Sequence, residues 1–103
     1  MLLAAVTLAG CAGQSIDWPD ADQVSMRAQR ECSVLTATGG WDPGVCRDYF
    51  TSGYQAERDA IADGAPRDRA TLEAAAQAAP HEIGREAYLA GAKYAVEASA
   101  AVH

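Results

Sequence analysis

The sequence predicts an all-α protein: a small domain of three to four helices, led by a disulfide-linked αα-hairpin. Three observations carry this expectation. Residues 11–103 hold 21 alanines against 19 large apolar side chains, a composition that favours helix and a thin, closely packed core. Gly39-Gly40, Gly64 and Pro80 divide the chain into segments of helical length, each opened by an Asp or a Pro. Cys32 and Cys46 fall on either side of the first of these breaks, where an antiparallel hairpin brings two helices together.

The first helix is expected from Asp17 to about Leu35. Asp17 is the candidate N-cap, Pro19 lies in the first turn, and Asp20 and Asp22 complement the helix dipole. Ala21, Val24, Ala28, Cys32 and Leu35 share one face at helical spacing. Thr38-Gly39-Gly40-Trp41 superficially suggests a phosphate loop, but it lacks the Walker Lys and a preceding strand and reads as the hairpin turn.

Asp42-Pro43 restarts helix, with a cap followed by proline at the first helical position. The second helix runs to about Asp63 and ends at Gly64. Val45, Cys46, Tyr49, Phe50, Gly53, Ala56, Ala60 and Ile61 take half of its circumference; Arg47, Asp48, Thr51, Gln55, Arg58 and Asp59 take the other. Cys32 is late in the first helix and Cys46 early in the second, which places both beside the turn.

Pro66 and Asp68 open a shorter Ala-rich helix, roughly 67–79, whose one large apolar residue is Leu72. Pro80 ends it and begins a fourth, from about 81 to 101. On the fourth helix Ile83, Ala87, Ala90, Gly91, Tyr94 and Ala98 form one apolar face, and Leu89, Ala92 and Val96 a second, nearly opposite. Only a strip with Glu86, Lys93 and Glu97 is firmly polar. Such a helix is central in the bundle or open to a partner. Asp48-Tyr49-Phe50-Thr51-Ser52-Gly53 loosely matches Glu86-Ala87-Tyr88-Leu89-Ala90-Gly91. Six residues do not make a repeat; the match is chance or two solutions to one packing problem.

The N-terminus carries the most specific motif. Leu8-Ala9-Gly10-Cys11 closes an apolar run that begins at Leu2, far short of the roughly 20 residues of a membrane span. It resembles the lipobox of bacterial lipoproteins, although no Lys or Arg precedes the apolar run. The resemblance implies a signal peptide over residues 1–10, a lipid on Cys11, a lipidated tether over 11–16 and a helical domain over 17–103. Two or three acyl chains on one cysteine anchor stably. Ala12 stands where an Asp retains such lipoproteins at the inner membrane, which implies the outer membrane, facing the periplasm. With Cys11 acylated, Cys32 and Cys46 remain an even pair in an oxidising compartment, so a disulfide is expected between them.

Net charge of −6 leaves no basic face for phosphates, so no nucleic-acid partner is expected. No metal site or cofactor is expected either. His81 and His103 are far apart in sequence, and His81 reads as a solvated residue of a first turn. Catalytic constellations are equally hard to find: Ser52-Gly53 lacks the Gly-x-Ser-x-Gly elbow, and Cys46 belongs to the expected bridge. Trp18 and Trp41 read as packing residues at the two ends of the core.

Glu57 falls inside the apolar arc of the second helix. Its ordinary explanation is a carboxylate at the edge of the stripe reaching water; if buried instead, it would mark a functional site.

The functional expectation is therefore a membrane-anchored envelope lipoprotein acting without catalysis, as an accessory, assembly, exclusion or inhibitor protein. Leu89, Ala92 and Val96 are its candidate face for an envelope protein partner. The competing expectation is a small periplasmic hydrolase or a binding protein for a cell-wall or lipid ligand, with its site at Glu57 and the Tyr49/Tyr54 region.

Overall fold

A computed structural model describes residues 16–37, 39 and 41–100. The expected signal peptide, Cys11, all of the tether before Ile16, and His103 lie outside the described residues. Four helices form the fold: α1 (Ala21–Leu35), α2 (Pro43–Ala62), α3 (Arg69–Ala76) and α4 (Glu82–Ala100). No strand occurs among the described residues, so the all-α expectation holds. None of these helices is long and apolar enough to cross a membrane.

Local chemistry sets each start. The α1 N-cap is Asp20 rather than Asp17: its carboxylate accepts from the Gln23 N–H at 2.9 Å, and the Gln23 side chain accepts from the Asp20 N–H at 2.9 Å. This reciprocal capping box satisfies two donors where a lone Asp17 cap would satisfy one, so the helix begins three residues later than its sequence suggests. Asp42 caps α2 with Pro43 in the first turn, and Asp68 caps α3 through Thr71 N–H at 2.8 Å. Gly64 (φ +79°) supplies the left-handed backbone directly after the α2 C-cap Asp63, while Gly39 (φ +87°) takes it within the turn after α1, whose C-cap is Thr36. At α4 the His81 ring Nδ1 accepts from the Ile83 N–H at 3.0 Å, so His81 acts as a cap rather than a merely solvated residue.

Packing is organised around α4, which touches all three other helices, most extensively α2. Of the two positions its apolar faces allow, α4 takes the central one. The α2–α4 crossing is unusually close: Gly53 abuts the backbone of Tyr88, and Gly91 abuts the backbone of Phe50. Small residues therefore replace bulk. The buried face of α4 is Gly84, Ala87, Gly91, Ala92 and Ala95, set against Cys46, Phe50, Gly53, Tyr54 and Glu57 of α2. Val24, Ala28 and Cys32 of α1 complete the core. Val45, expected on the apolar arc of α2, is 40% exposed.

Cys32 and Cys46 form a disulfide between α1 and α2, with their Cα atoms 5.9 Å apart. Both are buried. Beside this end of the core, Trp41 stacks on Tyr49 at 6.2 Å and on His81 at 5.1 Å between ring centroids. At the other end Trp18 meets Tyr54 edge-on at 6.5 Å, with the Arg58 guanidinium 5.6 Å from its ring centre. Both tryptophans pack, as the sequence suggested.

Candidate functional site

Glu57 is completely buried, against the expectation that it reaches water. The reason is Arg67, in the loop after α2. Its Nε donates to Glu57 Oε1 at 2.8 Å and its backbone N–H donates to Oε2 at 3.2 Å. Arg67 also donates through Nη1 to the Tyr88 hydroxyl of α4 at 2.9 Å. Burial alone would lower the tendency of this guanidinium to hold its proton, but the bonds to Glu57 and Tyr88 outweigh that and hold its pKa above the usual arginine value. The paired carboxylate ties α2, the following loop and α4 together, while Arg67 Nη2 is buried without a partner among the described residues. The sequence signal for the pair was absent, because Arg67 lies in a loop with no periodicity to align it with Glu57.

The second residue group expected at that alternative site is not assembled around Glu57. The Tyr49 ring belongs to the stack with Trp41, while Tyr54 packs with Trp18 and with Tyr94 at 5.4 Å. Burial pushes the Tyr54 hydroxyl above the usual tyrosine range, against the opposing charge of Arg58. No group of His, Cys, Asp and Glu able to hold a metal ion occurs among the described residues.

A groove with a largely apolar lining lies between α3 and α4. The two helices are joined by a turn that the Arg85 side chain closes on the Ala79 carbonyl at 3.1 Å. Because α3 has only eight residues and is rich in alanine, it cannot cover its side of α4. What remains is a groove of about 550 Å³. Leu72, Leu89, Ala90 and Val96 give it an apolar floor, and Arg69, Glu73 and Lys93 a charged rim. Val96 is 43% exposed and Leu89 half-buried.

Of the three residues expected to face a partner, Leu89 and Val96 therefore line one groove together. Ala92 does not: it is fully buried. Position 92 shares its helical spacing with Leu89 and Val96, yet its methyl is covered and does not line the groove. Leu72, Arg69 and Lys93 were not foreseen in this role; Leu72 was visible only as the lone large apolar residue of its helix.

No protein-family model matches this chain, and no curated protein or solved structure matches it.

Proposed function

We propose that this chain is a lipid-anchored protein of the bacterial cell envelope that holds or blocks a protein partner without catalysing a reaction. The observation supporting the reading is the α3–α4 groove, where Leu72, Leu89 and Val96 leave apolar surface beside a mixed-charge rim. A floor of this kind gains by being covered, and a polar rim is the usual border of a protein contact. The lipobox-like Leu8-Ala9-Gly10-Cys11 supplies the rest: an acylated Cys11 tethers the domain at the outer membrane, facing the periplasm. Within that setting the protein serves as an accessory or assembly subunit of an envelope machine, or as an exclusion or inhibitor lipoprotein.

Two arms of one cellular experiment test this. Cells expressing the full chain are fed labelled fatty acid, crosslinked and fractionated. Cys11→Ala should lose the label and leave the membrane fraction, while Leu89→Glu and Val96→Glu should keep both and lose a specific crosslinked partner. Membrane association of Cys11→Ala without label would refute the anchor. An unchanged partner profile in folded groove variants would refute the docking role.

A further inference from the structure

We infer that the α3–α4 groove receives an amphipathic helix of the partner, carrying an acidic side chain opposite Lys93. This rests on the docking reading above and names what docks. Shape is the first argument. Both walls are helical, and Leu89 and Val96 lie two turns apart along one row of α4, with Leu72 of α3 lining the same groove. A third helix laid along this furrow meets that row with apolar residues of its own at i, i+3 or i+4, and i+7.

Charge is the second argument. On the α3 side, Arg69 Nε and the Glu73 carboxylate bind each other at 3.0 Å. Lys93 makes no ion pair among the described residues, which leaves the groove with one net positive charge on a chain whose total is −6. A carboxylate on the incoming helix meets Lys93 there, and a pair at the rim fixes register and partner choice more than affinity. A second copy meeting this groove with its own fits poorly, since the one carboxylate there, Glu73, is already held by Arg69. An acyl chain fits poorly too, because the furrow is open and charged along its edges.

The test is selection of displayed 16-residue helical peptides against the immobilised full-length protein and against its Lys93→Glu variant. Peptides enriched on the unmodified protein should combine the apolar spacing with Asp or Glu at one fixed place. Selection on Lys93→Glu should place Lys or Arg there instead. A synthetic copy of the first winner should bind Lys93→Glu at least tenfold more weakly. It should not bind Val96→Glu, whose exposed position preserves the fold by circular dichroism.

Winners that need Val96 but show no charge preference would overturn the acidic helix and leave the docking reading standing. Winners indifferent to Val96→Glu would overturn both. Self-association abolished by Val96→Glu would assign the groove to a second copy, and displacement of the peptide by a fluorescent fatty acid would assign it to lipid; either overturns the proposal.

Discussion

Gly53 and Gly91 occupy reciprocal positions in the α2–α4 crossing. A Cβ on Gly53 would overlap the carbonyl of Tyr88, three residues before Gly91; a Cβ on Gly91 would overlap the carbonyl of Phe50, three residues before Gly53. Each glycine thus receives the helical turn that leads to the other. The loose match between residues 48–53 and 86–91 is this contact, written once on each helix. It is two solutions to one packing problem, and the shared element is the spacing from a large aromatic to a glycine.

Gly53→Ala and Gly91→Ala should each destabilise the protein, although alanine is the better helix former by about 1 kcal/mol. The obstructing atom is backbone, which no rotamer change can move aside. Overpacking therefore outweighs propensity, and a net loss of roughly 2 kcal/mol or more is expected, on the order of 10 °C in Tm. Gly64→Ala provides the contrast. Nothing lies within 4 Å of a Cβ there, so only its left-handed φ of +79° resists, at roughly 1–2 kcal/mol. Urea unfolding of the three variants checks the order.

Arg67→Met should cost about 3–5 kcal/mol, because it leaves the buried Glu57 carboxylate without its partner. Glu57→Leu combined with Arg67→Met should recover most of that loss, since an apolar pair of similar volume needs no compensation. Chemical denaturation of the single and double variants measures the coupling. Equal losses in both would show that Arg67 acts by packing alone.

Replacing both Cys32 and Cys46 with Ala should destabilise by an amount on the order of 3 kcal/mol, the loop-closure contribution of a bridge spanning 14 positions. Two single Ser variants should cost more than the double Ala variant, because each buries a hydroxyl in the core. Thermal melts of the oxidised parent and the variants check this, and non-reducing peptide mapping should recover the linked peptide.

Acid should loosen α3 through its cap. The Asp68 carboxylate accepts from Thr71, backbone first and side chain second, which lowers its pKa below the usual 3.8. Since the folded value is depressed, the stability this cap contributes is fully present above the unfolded value and is lost as pH falls through the folded one. Asp68→Asn keeps an acceptor that does not titrate, so its stability should fall less between pH 5 and pH 2, by about the share that belongs to the cap. Thermal unfolding across that range compares the two.

Helices, turns and the disulfide were legible because they follow local rules. Asp42-Pro43, Gly39 and Gly64 act on their own neighbours, and the two cysteines needed only correct helix limits to meet. What periodicity missed was set by contacts between elements. Ala92 shares its helical spacing with Leu89 and Val96 and so was read as a surface residue, but it is fully buried, which depends on the elements packed over it. Arg67 was invisible as the partner of Glu57, since a loop has no period to project. The start of α1 moved from Asp17 to Asp20 because Gln23 completes a capping box that a single-residue cap search overlooks. The groove was half legible: Leu89 and Val96 were found on α4, while the short α3 that makes them a groove could be judged only in three dimensions.

The docking account is tested most directly by a photoreactive amino acid placed at position 96 of the full-length protein in living cells, with position 26 on α1 as the control. Val96 and Met26 are both exposed, at 43% and 70%, but only Val96 lines the α3–α4 groove. Illumination should yield one discrete adduct from position 96, absent from position 26 and lost when Leu89→Glu is added. Adducts of equal yield and pattern from both positions, or an adduct from position 96 that survives Leu89→Glu, would contradict it.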